Sequence, residues 1–142
     1  MKTTSLFLTV CAALLLCSSA FAGTVSLKIA HVNSEQTTFH KGLEKFKELI
    51  EERSGGRIQA KVFANAQLGN ERDNIEGLQM GTIDVAAFST APVSAFVPSF
   101  DLLSAPMVFA DHAHAFRVAD GPVGQKLSEE LLEKQKIRNL GY

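Results

Sequence analysis

The sequence predicts an α/β fold built on a parallel sheet, and three features support this. Two short stretches, Thr24–Val32 and Arg57–Phe63, alternate apolar and polar residues as half-buried strands do. The segments that follow them repeat apolar residues every three to four positions, as on one face of a helix. A third apolar run, Ile83–Phe88, reads as a buried parallel strand. The order strand, helix, strand, helix, strand favours parallel strands joined by right-handed crossovers.

The first unit pairs the strand Thr24–Val32 with a helix. A polar turn, Ser34–Thr38, lies between them and can cap the helix. Ser54 and two glycines end the helix, because glycine adopts the left-handed conformation at low cost. The predicted buried stripe of this helix consists of Phe39, Leu43, Phe46 and Ile50.

The second unit follows the strand Arg57–Phe63 with the loop Asn65–Gly69 and another helix. Asn70 is the predicted N-cap of this helix, and Gly81 is its predicted end. Acidic residues in its first turn suit the helix dipole, and apolar residues give it a buried face. These residues are Glu71 and Asp73 for the first turn, and Ile75 and Leu78 for the buried face.

Three prolines, Pro92, Pro98 and Pro106, divide the apolar segment after Ser89 and exclude a long helix there. We predict packed chain with short turns, since the segment is too apolar to remain solvated. Two helices should follow, one capped by Asp111 and ending near Asp120, and one starting at Gly121-Pro122. The apolar stripe of the last helix is Val123, Leu127 and Leu131, and Ile137–Tyr142 is predicted to begin a strand.

The N-terminal segment 1–22 has the pattern of a cleaved secretory signal peptide. Lys2 supplies the positive charge, Leu6–Leu16 is apolar, and small residues precede Gly23, the predicted first mature residue. The apolar run is shorter than the roughly 20 residues that span a bilayer. Both cysteines, Cys11 and Cys17, lie inside the segment 1–22 and follow bulky residues, which argues against a lipid anchor. Export without disulfides suits a bacterial periplasm.

The remaining composition argues against several functions. A net charge of −1 does not favour nucleic-acid binding. The chain has no Gly-x-Ser-x-Gly or Walker motif, and its cysteines lie in the leader, so no catalytic set is expected. His112 and His114 would not share a helix face, so neither a metal site nor a cofactor is expected. His31 and His40 show no obvious pairing, and a solvated role is predicted for His40.

Ordered motifs in the chain resemble the tripartite ATP-independent periplasmic (TRAP) transporter solute-binding proteins, the DctP-like family. The similarity covers residues 24–142. One departure is Ala105-Pro106, where the family usually has Leu-Pro. The motifs are Lys28-Ile29-Ala30-His31, Ser54-Gly55-Gly56-Arg57-Ile58, Gln67-Leu68-Gly69-Asn70-Glu71-Arg72, Leu78-Gln79-Met80-Gly81-Thr82-Ile83-Asp84-Val85 and Ala105-Pro106-Met107-Val108-Phe109.

The resemblance implies a periplasmic binding protein-like (type II-like) fold of two lobes, of which residues 23–142 supply most of the first. It implies no enzymatic activity, but capture of a small organic acid, such as a C4-dicarboxylate, for delivery to the membrane permease subunits. Family members continue for roughly another domain's length. It also implies that an arginine beyond Tyr142 clamps the ligand carboxylate; Arg117 and Arg138 do not match it.

Candidate ligand residues follow the strands, since ligands of open α/β sheets bind at the carboxyl ends of the strands. Asn33 and Gln36 follow the first strand, Glu71 begins the second helix, and Ser89 follows the third strand. Each has a plain structural alternative: Asn33 can shape the turn or cap the helix, Glu71 can satisfy the helix dipole, and Ser89 can be a turn residue. Phe88 is predicted to belong to the core.

Two other functions stay open from the sequence. One is an exported α/β enzyme, which would need a nucleophile and base or a metal set. The other is a truncated fragment without function, because half of the core would be missing.

Overall fold

The computed structural model describes residues 23–142, so the predicted signal peptide lies outside the described residues. None of the helices in this part of the chain has the length and apolar character needed to cross a membrane. A 3₁₀ turn, Pro98–Phe100, lies between the third and the fourth helix. In chain order the elements are β1 (Val25–Ala30), α1 (Thr38–Arg53), β2 (Ile58–Phe63), α2 (Glu71–Met80), β3 (Val85–Ala86), α3 (Ala91–Ser94), α4 (Asp101–Ser104), α5 (His112–Ala119) and α6 (Pro122–Gln135).

The three strands form a parallel sheet in the order β2-β1-β3, which confirms the predicted fold class. The register of β1 with β2 runs from Val25 opposite Ile58 to Ala30 opposite Phe63. β3 pairs with the last two residues of β1. Because the strands are parallel, their carboxyl ends meet at one edge of the sheet, where the candidate residues were predicted.

The ends of α1 follow from local chemistry. Thr37, in the predicted capping turn, is the N-cap, and its hydroxyl accepts from the backbone N–H of His40 at 3.3 Å. Gly55 and Gly56 follow the helix with φ of +62° and +78°, as expected at a helix end. α1 is joined to the sheet where Glu51 accepts from the backbone N–H of Ala60 at 2.8 Å. The predicted stripe is half-buried, except that Phe39 is exposed.

α2 is bounded by the two residues that the sequence indicates. The Asn70 side chain accepts from the backbone N–H groups of Arg72 and Asp73, at 2.8 and 3.0 Å. Asp73 in return accepts from the backbone N–H of Asn70 at 2.8 Å, which completes a capping box. Gly81 ends the helix in the left-handed conformation with φ +70°.

The core lies where α2 meets the short turns after β3 and the last helix. Val97 and Phe100 lie in the proline-rich segment, which forms α3, the 3₁₀ turn and α4 rather than a long helix, as predicted. The predicted packing is wrong for three later residues of this segment, since Leu102, Met107 and Val108 are exposed. Phe88 is half-buried and packs against the core cluster, in agreement with its predicted core role. The cluster consists of Ile75, Val93, Val97, Phe100, Leu127, Leu131 and Ile137.

The predicted strand Ile83–Phe88 is wrong in length. The strand is only Val85–Ala86, and both residues are half-buried rather than buried. It runs beside β1 only at Ile29 and Ala30, because β1 ends there. Within the described residues β3 pairs with β1 alone, so no second ladder supports a longer strand.

The predicted strand Ile137–Tyr142 is also wrong. Lys136 ends α6 in the left-handed conformation, and the chain then turns back along this helix. The Asn139 side chain donates to the Ser128 hydroxyl at 3.1 Å, and the Tyr142 hydroxyl donates to the carbonyl of Gly124 at 3.1 Å. A strand requires a neighbour for its backbone groups, and this segment bonds to a helix instead.

One residue of the predicted α6 stripe is misplaced. Leu127 and Leu131 are buried, but Val123 is 39% exposed. Val123 lies in the first turn of α6, outside the core cluster. The helical period was therefore predicted correctly, while the buried stripe was predicted one turn too long.

Candidate functional site

The candidate site is the edge of the sheet at which the three strands end. The backbone N–H of His31 donates to Phe63 at 3.0 Å, and the carbonyl of His31 accepts from Ala66 at 3.3 Å. The carbonyl of Ala30 accepts from Ala87 at 3.0 Å on the other side. These bonds continue the sheet into its loops, so the residues after β1 are held between those after β2 and β3.

Asn33 and Gln36 lie in the loop after β1. Asn33 is half-buried, and its carbonyl accepts from the backbone N–H of Asn65 at 3.0 Å. Gln36 is exposed, and its side-chain oxygen accepts from the Ser34 hydroxyl at 2.7 Å. Thr37 caps α1, so neither Asn33 nor Ser34 has that role. Ser34 shapes the turn instead, since its carbonyl accepts from the Thr37 hydroxyl at 2.7 Å.

Glu71 and Ser89 are in direct contact. One oxygen of Glu71, Oε1, accepts from the backbone N–H of Ser89 at 2.9 Å and from its hydroxyl at 3.2 Å. The first turn of α2 is thereby tied to the chain that follows β3. Asn33 and Gln36 make no hydrogen bond to this pair within residues 23–142, so the structure brings together two of the four candidates.

A second contact, between His31 and His40, corrects the expectation that these histidines are unpaired. His31 is 1% exposed, and its Nε2 lies 3.0 Å from Nδ1 of His40. His40 is half-buried rather than solvated, and its Nε2 lies 3.9 Å from Glu44 Oε1. Burial and the neighbouring His40 lower the pKa of His31 below its ordinary value of 6.5, and Glu35 opposes this shift.

Two further contacts lie near the surface. His114 accepts from the backbone N–H of Ala110 at 3.3 Å and lies edge-on to Phe109. No group of three or more potential metal ligands occurs within residues 23–142. Arg72 forms a 2.9 Å ion pair with Glu76 on the surface of α2.

Sequence reasoning missed Asn74. This asparagine is 1% exposed in α2, and its side-chain nitrogen and oxygen have no hydrogen-bond partner among the described residues. A signal existed in the helical period, because Asn74 lies next to Ile75 and one turn before Leu78, the two residues of the predicted buried face.

The comparisons with known proteins place the chain in a family. Residues 29–142 match the DctP family, described as bacterial extracellular solute-binding protein, family 7, and the chain belongs to it. Solute-binding protein RD1_1052 of Roseobacter denitrificans is 33% identical over 132 residues, which are 93% of this chain and 40% of that relative. The chain therefore spans about two fifths of that relative's length.

Solved structures of the TRAP type have the same fold. A TRAP periplasmic solute-binding protein from Sulfitobacter sp. NAS-14.1, with bound β-D-galacturonate, matches at a TM-score of 0.74 and 33% identity. One from Sulfurospirillum deleyianum DSM 6946, with bound succinate, matches at 0.74 and 30%. The matches cover 77% and 79% of this chain and 36% of each structure. The predicted TRAP resemblance and α/β binding-protein fold are confirmed.

Proposed function

We propose that this chain belongs to the periplasmic, non-enzymatic subunit of a TRAP transporter that captures a small organic acid for the membrane permease. Membership in the solute-binding family carries this proposal. In such a subunit two lobes close on the ligand, and the closed form is selected by the transporter. A leader at residues 1–22 would direct the protein to the periplasm.

Residues 23–142 form one wall of the proposed cleft, with Asn33, Gln36, Glu71 and Ser89 facing the ligand. The support is their position, since all four follow or adjoin strands that end at one edge of the sheet. The amides can donate to a ligand carboxylate, and Glu71 can accept from a ligand hydroxyl. Neither type of group neutralises the charge of a carboxylate. We therefore assign the main cationic clamp to a part of the protein outside residues 23–142, as the family resemblance implies.

The proposed ligand class is a small carboxylate, with a C4-dicarboxylate as the first candidate. The relative from Sulfurospirillum deleyianum holds succinate, a C4-dicarboxylate, and the one from Sulfitobacter holds galacturonate. The two ligands differ in size and hydroxyl content but share a carboxylate. This shared group supports the class more strongly than any single compound.

The test is a thermal-shift titration of the complete gene product with succinate and galacturonate. We expect a saturable rise in melting temperature, because a ligand at about 100 times its Kd stabilises the folded state by about 2.7 kcal/mol. Residues 23–142 alone should show no such rise, since they lack the proposed clamp. A ligand-dependent rise in this shorter piece would contradict the assignment of the clamp.

The proposed site residues are tested with a matched pair of variants. Gln36→Ala should weaken ligand binding by calorimetry, whereas Gln59→Ala should not, because Gln59 is an exposed residue within β2. Equal affinities for both variants and the unmodified protein would remove Gln36 from the site. The absence of binding by any small carboxylate would count against the proposed function as a whole.

A further inference from the structure

The His31–His40 contact joins the end of β1 to the first turn of α1. His31 is fixed by its backbone bonds to Phe63 and Ala66 at the end of β2. His40 is fixed by the cap of α1, since its backbone N–H donates to the Thr37 hydroxyl at 3.3 Å. The two rings lie 5.2 Å apart between centroids, with an angle of 48° between their planes. The loop Val32–Thr37 is thus closed at its base by one imidazole–imidazole hydrogen bond.

The neighbouring groups assign the protons in this bond. An N–H···N bond needs one donor and one acceptor, so a single proton lies between His31 Nε2 and His40 Nδ1. Glu44 faces Nε2 of His40 at 3.9 Å, which favours the proton of neutral His40 at Nε2. His40 Nδ1 is then the acceptor, and His31 donates. His31 Nδ1 is left as a buried lone pair without a partner among the described residues.

A second proton has no favourable position in this arrangement. On His31 Nδ1 it would place a positive charge at a buried atom that has no acceptor. On His40 Nδ1 it would set two N–H groups against each other, unless His31 moved its own proton to the same buried nitrogen. Both outcomes cost free energy in the closed arrangement, and neither does so once the loop is open to water.

We propose that His31 and His40 form a pH-sensitive clasp, which neutral imidazoles hold closed and which protonation in mild acid opens, releasing the loop Val32–Thr37. The titratable groups that act on His31 are His40 from α1 and Glu35 from the loop itself. Glu35 opposes opening because it favours the charged form. The side of β2 meets His31 through backbone groups.

The sign of the pH dependence follows from proton binding. The pKa of His31 is lower in the folded than in the unfolded chain, so the unfolded chain binds the proton more readily. The contribution of His31 to the free energy of unfolding is therefore fully present above pH 6.5. This contribution falls as the pH drops below 6.5, until His31 also becomes protonated in the folded form. Because Asn33 and Gln36 lie in the loop, ligand affinity would fall too; that consequence rests on the proposed function.

The first experiment measures urea unfolding of the complete gene product, without ligand, at about pH 7.5 and about pH 5.5, which bracket histidine titration. His31→Gln keeps an N–H donor for His40 but does not titrate, and His112→Gln makes the same change at an exposed histidine. Between the two pH values, we expect the urea midpoint of His112→Gln to fall by as much as that of the unmodified protein. The midpoint of His31→Gln should fall by about half as much or less. Equal losses in both variants would overturn the proposal.

The second experiment needs no variant that must fold. Imidazole signals of the unmodified protein are titrated by NMR. We expect His31 to titrate below pH 6.5, the ordinary value for histidine, and the amide signals of residues 32–37 to shift together with His31. Titration of His31 at or above pH 6.5, or loop signals that do not follow His31, would overturn the clasp. Both experiments are independent of ligand, so their failure leaves the proposed function untouched.

Discussion

Glu71 and Ser89 lie 18 residues apart in the chain, yet one carboxylate oxygen accepts from both the backbone N–H and the hydroxyl of Ser89. The bond ties the start of α2 to the chain that follows β3. It also gives Glu71 a structural task besides the ligand contact proposed for it. The first prediction separates this structural contribution from the general effect of removing a charge.

Replacement of Glu71 by alanine should lower the free energy of unfolding of the complete gene product by about 1 kcal/mol, because two charge-assisted hydrogen bonds are lost at a partly exposed site. Glu76→Ala is the matched control on the same helix. It removes only the surface ion pair with Arg72, and about 0.5 kcal/mol or less is expected. Urea denaturation measures both, and equal losses would contradict a specific role for the Glu71–Ser89 bond.

The second prediction concerns the cap of α2. Asn70→Ala removes the acceptor for the backbone N–H groups of Arg72 and Asp73 and should destabilise the protein by about 1 kcal/mol. Asn70→Asp keeps an acceptor at the same place and should cost only a small part of this. Thermal and urea denaturation give the comparison. If aspartate were as harmful as alanine, the side-chain cap would not be the cause.

The third prediction uses two glycines in helices. A Cβ at Gly124 would lie 1.6 Å from the carbonyl oxygen of Ala119, so α5 and α6 could not keep their contact. Gly124→Ala should therefore destabilise by about 3 kcal/mol or more. Gly42, within α1, has nothing within 4 Å of its added Cβ, and Gly42→Ala should stabilise by up to about 1 kcal/mol. A harmless Gly124→Ala would show that the two helices are less closely packed.

The fourth prediction tests the buried amide of Asn74. Leucine has a similar size and no polar atoms, so Asn74→Leu should raise the free energy of unfolding by about 1 to 3 kcal/mol. Asn74→Asp, which would bury a charge instead, should lower it. Chemical denaturation of the complete gene product decides the sign. Destabilisation by leucine would mean that the amide has a partner in the folded protein.

Features set by local chemistry were predictable from the sequence. Asn70 and Gly81 bound α2 because an amide side chain caps a helix start and glycine accepts a left-handed end. The parallel sheet followed from the order of the elements. The capping function at α1 was assigned to the right turn, although the sequence did not single out Thr37.

Features set by distant neighbours were not predictable. The length of β3 depends on where β1 ends, and the path of Ile137–Tyr142 depends on polar groups of α6. His31 and His40 meet because the turn between them reverses the chain, which no spacing rule indicates. The Glu71–Ser89 contact joins two residues that were each proposed separately. The ligand contacts of all four candidates stay predictions.

The two edges of the sheet differ in how readily they would accept a further strand. β2 offers six residues of backbone at its outer side, but it carries an exposed lysine, Lys61, and lysine on an edge discourages pairing with another chain. β3 has only two residues, too few to template a stable partner alone. Self-association by strand addition should therefore be weak for the sheet of residues 23–142. A further strand that pairs with β3 must obtain most of its affinity from side-chain packing.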